Sequence, residues 1–373
     1  MIPLFKPLIE EEELNGTHEA LKSGWLGIGS YMGEGSYVYH FEKNINNVIN
    51  APERHVGAVS TGYAALHLGL LIAGVSGGDE VITASLNNIA DFQAILATGA
   101  MPVFCDIDEE TLCIDLDKAS GLVTQRTKAI IVMDYACHLC DHEQVADFSK
   151  QYNLRVIHDA AHSFGARYQG QMVGSFSDIT MFSFDAAKAL TCIDGGALVL
   201  NSQAELDTLH ELRLMGKTSG RGSYDIQRLG YRYHLANPHA AIGLAQLTKL
   251  PHIIESRIAA CRYYNDQLSN LPPIITPKTR FDDVNPFMYY IRVPTEQRDA
   301  LQVYLKQRGI ETGVHWKPGH HFTLFKTSRR DDMSVTERLG KEILSLPLHS
   351  LMSHRLQDEV INGIIDFFQK EVC

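Results

Sequence analysis

Between residues 55 and 200 the chain repeats one pattern: a short apolar run, a polar turn, then a segment whose apolar residues recur at helical spacing. The runs are HVGAVS, EVITAS, MPVFCDI, TKAIIVMDYA, LRVIHDA, ITMFSF and GALVL. Strands with apolar residues on both faces must be buried on both, so helices are needed above and below the sheet. Segments such as GYAALHLGLLIAG and HEQVADFSKQYN supply them. The pattern predicts an α/β fold with a mostly parallel central sheet sandwiched by helices. From residue 237 a long helical pattern runs to Pro272-Pro273, followed by MYYIRVP, a helix over 296–308 and the closing helix RLQDEVINGIIDFFQKEV. We place a large domain with an N-terminal arm at residues 1–250 and a small α+β domain, completed by that arm, at 251–373.

At 373 residues, 45% of them hydrophobic, the chain can bury a large core. Its 44 acidic against 33 basic side chains leave a net charge of -11, which gives no general pull toward nucleic acid or an anionic membrane. A local basic site for an anionic small molecule stays compatible with that balance. No apolar run approaches the ~20 residues that span a bilayer, and the start MIPLFKPLIEEEEL turns acidic without a signal-peptide core, so a cytoplasmic location is expected. The seven cysteines are scattered and odd in number, which fits reduced thiols. CHLCDH at 137–142 has no second CxxC, and the pair His320-His321 stands without a matching motif, so no metal is assigned.

In open α/β sheets, ligands bind beyond the C-terminal ends of the strands. Three places fit: STGYAAL at 60–66, HDAAHSFG at 158–165 and SFDAAK at 183–188. A lysine attacks an aldehyde only when neutral, and burial lowers its pKa toward that state; FSFDAAKALT could bury Lys188, although a lone lysine there also reads as a surface residue. Asp159 follows the strand LRVIH, where a carboxylate is either a satisfied strand-end group or the anchor of a buried cation, such as the protonated ring nitrogen of pyridoxal phosphate. Ser-Thr-Gly before a long apolar helix is either an ordinary N-cap or a phosphate site on a helix dipole. Their order along the chain favours the second reading of each.

With these residues in place, the sequence resembles the DegT/DnrJ/EryC1/StrS family of pyridoxal-phosphate sugar aminotransferases, of fold type I. The resemblance is carried by SGWLGIG, STGYAALHLGLL, GDEVIT, ATGAMPVFCDID, the block from HDAAHSFGARYQG to ALTCIDGG, GYRYHLANPHAAIGLAQL, GIETGVHWKP and LSLPLH. It implies pyridoxal 5'-phosphate as cofactor, with pyridoxamine 5'-phosphate as its intermediate form. Lys188 would be the Schiff-base lysine, Asp159 the partner of the pyridinium nitrogen, and His162 the neighbour of the phenolic oxygen. Ser183 with the backbone of Gly62 and Tyr63 would hold the phosphate, and Gly195-Gly196 would let the next strand begin against the cofactor. A residue of GYRYH would reach the phosphate of a neighbouring subunit, implying a homodimer with shared active sites. Trp25, Asp185, His315 and Lys317 would line the sugar-nucleotide pocket.

Four positions depart from the family's usual pattern. Tyr63 stands where Thr is common and removes a side-chain phosphate contact. Asn88, a cofactor-pocket position, replaces an aromatic that stacks on the ring. Asp185 replaces His or Asn, and a carboxylate there favours a charged Lys188. Arg232 replaces a common Asn in the partner-reaching segment, and its permanent charge suits a phosphate or diphosphate. The implied reaction is transfer of an amino group from glutamate to a nucleotide-linked keto-deoxysugar, with a lean toward 4-keto-6-deoxy acceptors. A sugar dehydratase of the same fold would carry histidine at 188. A cofactor-binding regulator without turnover would need a DNA-binding module for which no segment is spare, and a nicotinamide enzyme would need GxGxxG after the first strand.

Overall fold

A computed structural model describes residues 1–27, 34–218 and 225–371; positions 28 and 29, which close the SGWLGIG motif, lie outside it. Two helices, α1 (Glu11–Lys22) and α2 (Tyr37–Ile49), precede the sheet. Then follow β1 (His55–Val59), α3 (Gly62–Ile72), β2 (Glu80–Ala84), α4 (Ile89–Ala97), β3 (Met101–Cys105), α5 (Leu116–Ser120), β4 (Thr127–Met133), α6 (His142–Tyr152) and β5 (Arg155–Asp159). A small hairpin of β6 (Arg167–Tyr168) and β7 (Gln171–Met172) leads to β8 (Ile179–Ser183), β9 (Gly196–Leu200) and α7 (Gln203–Arg213). The chain closes with α8 (Asn237–Leu268), β10 (Tyr289–Arg292), α9 (Thr295–Gln307), α10 (Ser334–Glu342), β11 (Ile343–Leu346) and α11 (His354–Glu371).

All seven apolar runs became strands of one sheet, ordered β1-β9-β8-β5-β4-β2-β3. Pairing is parallel from β8 through β5, β4 and β2 to β3, while β9 runs antiparallel to both of its neighbours. Burial on both faces explains the unbroken apolar character: Leu66 and Leu70 of α3 pack with Ile131, Ile157 and Leu198 on one side, and Phe41 of α2 packs with Phe182 and Val199 on the other. Helix α3 lies inside this packing, every residue from Ala64 to Leu70 being buried, which is why it carries no polar stripe.

The register decides where the strand ends meet. Met133, Asp159 and Met181 stand side by side across β4, β5 and β8. Because β9 is reversed, its first residue Gly196 faces both Ser183 at the end of β8 and Val59 at the end of β1. A Cβ on Gly196 would come within 2.5 Å of the Thr61 carbonyl oxygen, so glycine is required by the turn after β1. The glycine pair thus starts its strand against the backbone of the Ser-Thr-Gly turn.

Position 250 falls inside the continuous helix α8, which serves both ends of the molecule. On its first half Gln246 donates to the Leu8 carbonyl and to Glu13, and on its second half the Ala260 carbonyl accepts from Gln357 of α11. The C-terminal region is built around the antiparallel pair β10-β11. The N-terminal arm crosses to it: the Ile2 amide donates to the Gly309 carbonyl, Glu311 donates back to Ile2, and Leu348 donates to Leu4.

Candidate active site

A cavity of about 530 Å³ opens at the C-terminal ends of β1, β4, β5 and β8. Nine of the residues singled out in the sequence line it: Gly62, Tyr63, Asn88, Asp159, His162, Ser183, Asp185, Lys188 and His315. The strand order of the sheet, with the packing of the C-terminal region, brings together residues more than a hundred positions apart in the chain.

One wall is the N-terminus of α3. Thr61 caps it, its hydroxyl accepting from the Ala64 amide at 2.9 Å. The amides of Gly62 and Tyr63 belong to the first turn, where no intrahelical acceptor exists, so they remain available to an anion together with the positive end of the helix dipole. A side chain on Gly62 would stand 2.7 Å from Ser183 Oγ, so the glycine keeps this turn and the serine hydroxyl in contact across β1 and β8. This cradle fits a phosphate.

The same cavity is lined by two groups that burial has changed. Lys188 retains some exposure as a residue, yet its amine is enclosed. Burial therefore pushes its pKa below the ordinary lysine value, against the upward pull of Asp159 and Asp185. The expectation that Asp185 favours the charged lysine holds in direction, but burial outweighs it. The ammonium end also sits 4.1 Å from the centroid of the Phe287 ring. Asp159 is only 2% exposed, and burial raises its pKa; the Ala161 amide, donating at 3.0 Å, and nearby Lys188 oppose that rise. A buried carboxylate held in this way suits a cationic ring nitrogen.

His162 stacks on Phe287 at 4.3 Å and on Trp316 at 5.4 Å between centroids. Burial, Lys188 and His315 hold its pKa well below the ordinary histidine value, so the ring is neutral. Its Nδ1 accepts from the Ala136 amide at 3.2 Å, which assigns the ring proton to Nε2 and makes that nitrogen a donor. His315 is likewise neutral, pushed down to about 4 by burial and Lys188, with Nδ1 2.9 Å from the Ser345 hydroxyl. Asn88 caps α4 by accepting from the Ala90 amide at 2.9 Å, and Asp185 accepts from the Ala187 amide at the same distance.

Three of the singled-out residues stand elsewhere. Trp25 and Arg232 line a second cavity of about 420 Å³ with Lys217 and His234. Lys317 is exposed, with its amine 5.0 Å from the Phe322 ring centroid. The CHLCDH side chains diverge: Cys140 Sγ donates to the Met133 carbonyl, His138 meets the Tyr290 hydroxyl, and His142 meets Asp134. Cys137 and Cys140 are buried thiols.

Sequence reasoning missed five lining residues of note: Phe5, Asp91, Asp194, Phe287 and Trp316. Phe5 comes from the N-terminal arm and stacks on Phe287 at 5.0 Å. Asp91, a charge within the apolar helix IADFQAILA just after a strand end, carried a signal that could have been read.

Comparison with known proteins places the fold and the family. GDP-perosamine synthase of Escherichia coli O157:H7 is 32% identical to the chain, each covered over 98% of its length. The aminotransferase TlmJ from Streptoalloteichus hindustanus superposes with a TM-score of 0.93 at 28% identity over the whole of both chains. Spr1654 from Streptococcus pneumoniae, solved in its PLP-form, gives a TM-score of 0.89 at 27% identity over 99% of each chain. The sequence also matches one family over residues 7–365, and on that match the chain belongs to the DegT/DnrJ/EryC1/StrS aminotransferase family.

Proposed function

We propose that the protein uses pyridoxal 5'-phosphate to move an amino group from glutamate to the keto group of a nucleotide-linked deoxysugar, a 4-keto-6-deoxy sugar in our reading, acting as a homodimer with shared sites. The observation that carries this is the gathering, around one cavity, of a desolvated lysine amine, a buried carboxylate and the N-terminus of α3. The PLP-form of Spr1654 and the GDP-linked sugar in the name of the Escherichia coli relative support cofactor and substrate class.

When bound, the cofactor supplies an electron sink that stabilises negative charge on the carbon losing its proton. The protein's own groups do the rest. The Gly62 and Tyr63 amides and the Ser183 hydroxyl would hold its phosphate, and Asp159 would keep its ring nitrogen protonated. His162 would offer its Nε2 proton to the ring's oxygen substituent. Lys188, whose amine burial holds below the ordinary lysine pKa, would be placed to take a proton from the donor's α-carbon and to give one back, serving as base and then acid. His315 and Asp185 border the side from which an acceptor enters, the first as a neutral hydrogen-bonding ring and the second as a hydroxyl acceptor. Trp25 and Lys317 are assigned to the outer sugar-nucleotide region, and Arg232 to the phosphate of a partner's site.

The test is spectroscopic. Purified protein loaded with pyridoxal phosphate should shift to the pyridoxamine form on addition of glutamate, and should return when the correct UDP-, dTDP- or GDP-linked 4-keto-6-deoxysugar is added. No shift with glutamate or any other amino acid would overturn the aminotransferase assignment.

A further inference from the structure

Asp91 lies in the first turn of α4, is fully buried, and lines the cavity. Its Oδ2 accepts from Asn87 Nδ2 at 2.5 Å. Its Oδ1 finds no donor among the described residues, and the group within hydrogen-bond reach is another carboxyl, that of Asp159. Two carboxylates enclosed together cannot both ionise, and they make a hydrogen bond only with a proton between them.

We propose that Asp91 is a positioning residue whose carboxyl group holds a proton against the Asp159 carboxylate, so that the buried pair carries one negative charge and keeps it on Asp159. This rests on the reading of Asp159 as partner of the cofactor's ring nitrogen. The proton stays on Asp91 throughout, and no bond is made or broken.

The surroundings decide which oxygen keeps the proton. Asp159 is supported as an anion by the Ala161 amide, by Lys188, and by His158 behind it. Asp91 has the Asn87 amide and a weaker influence from Lys188, while burial and the facing Asp159 both push its pKa up. The α4 dipole favours an anion in this turn, but it acts against enclosure and a like charge together. The charged and titratable groups facing the pair are thus Lys188 after β8 and His158 on β5, with Asp185 beyond Lys188. A single buried negative charge matches a single ring cation, whereas two would hold Lys188 as an ammonium.

Asp91→Asn keeps the shape: the amide can accept from Asn87 and donate permanently to Asp159, without a titratable proton. Asp91→Ala removes the donor. In cofactor-free protein, a carboxyl whose pKa is raised by folding contributes stability that is lost as pH rises above the ordinary carboxylate range. The thermal midpoint of wild type should therefore fall relative to that of Asp91→Asn as pH is raised toward neutrality; parallel profiles would overturn the shared proton. In the second arm, pyridoxal phosphate uptake followed by absorbance should differ by less than about threefold between wild type and Asp91→Asn, and be about tenfold weaker in Asp91→Ala. Equal uptake by Asp91→Ala would overturn the positioning role. If wild type takes up no cofactor while the thermal profiles still diverge, the ring-nitrogen assignment of Asp159 falls and the positioning role with it, and the shared proton stands.

Discussion

Lys188 shows how several modest effects set the state of one group. Enclosure lowers its pKa, and the carboxylates of Asp159 and Asp185 raise it, with enclosure prevailing. A depressed pKa means that the reactive amine persists to lower pH than it would on an ordinary surface lysine. Trapping of pyridoxal phosphate on the cofactor-free protein with borohydride should therefore reach its half-maximum below the free-lysine range, and Lys188→Ala should abolish it. Asp185 separates the contributions, because it is exposed and belongs to the same turn as the lysine. Asp185→Asn removes an attraction that favours the ammonium, so the trapping curve should move to still lower pH. A shift to higher pH would show that Asp185 acts through turn geometry, its bond to the Ala187 amide, and not through its charge.

At the scale of elements, the site is made by strand ends whose register is fixed by packing. Reversal of β9 brings Gly196 against the Thr61 carbonyl, and that carbonyl belongs to the residue that caps α3. Gly196→Ala would push a methyl group into a backbone atom that cannot rotate away, an overpacking that costs about 1–3 kcal/mol. It should lower the thermal midpoint and weaken pyridoxal phosphate uptake together, since the displaced element is the proposed phosphate turn; unchanged uptake at lowered stability would remove that turn from the phosphate site. This linkage also explains what the sequence could disclose. The seven strands were legible because burial on both faces leaves unbroken apolar runs, and the polar residues just after them, Ser183 and Asp159 among them, could be picked out as strand-end groups. Phe5, Phe287 and Trp316 were not, because they reach the cavity by tertiary packing of the arm and C-terminal region against the sheet, and nothing in their local pattern distinguishes an aromatic at a site from one in a core. The reversal of β9 was equally hidden, since a buried strand reads alike in either direction. The proposed division between residues 250 and 251 falls within helix α8.

The whole molecule carries a charge question that one chain leaves open. A phosphate brings close to two negative charges, yet Lys188 is the sole lysine or arginine among the described residues lining the main cavity, and its amine is assigned to the aldehyde. Arg232 lies exposed beside the second cavity, in a region that also exposes Trp25, Leu26, Met215, Ile226 and Leu229. Apolar side chains gathered at one surface with an unburied cation are suited to contact with a second copy, and a two-fold arrangement would send each Arg232 toward the other chain's phosphate. Complementation tests this directly. Lys188→Ala and Arg232→Ala should each be severely impaired as homodimers. Unfolded, mixed in equal amounts and refolded, they form hybrids in half of the dimers, and each hybrid contains one site with both changes and one with neither. Shared sites therefore predict recovery of roughly a quarter of the wild-type rate, whereas sites built from one chain predict no recovery, because every chain then carries a defect. With a different affinity tag on each variant, hybrids retained through both tags can be assayed alone, so inactive isolated hybrids would place Arg232 outside the partner's site.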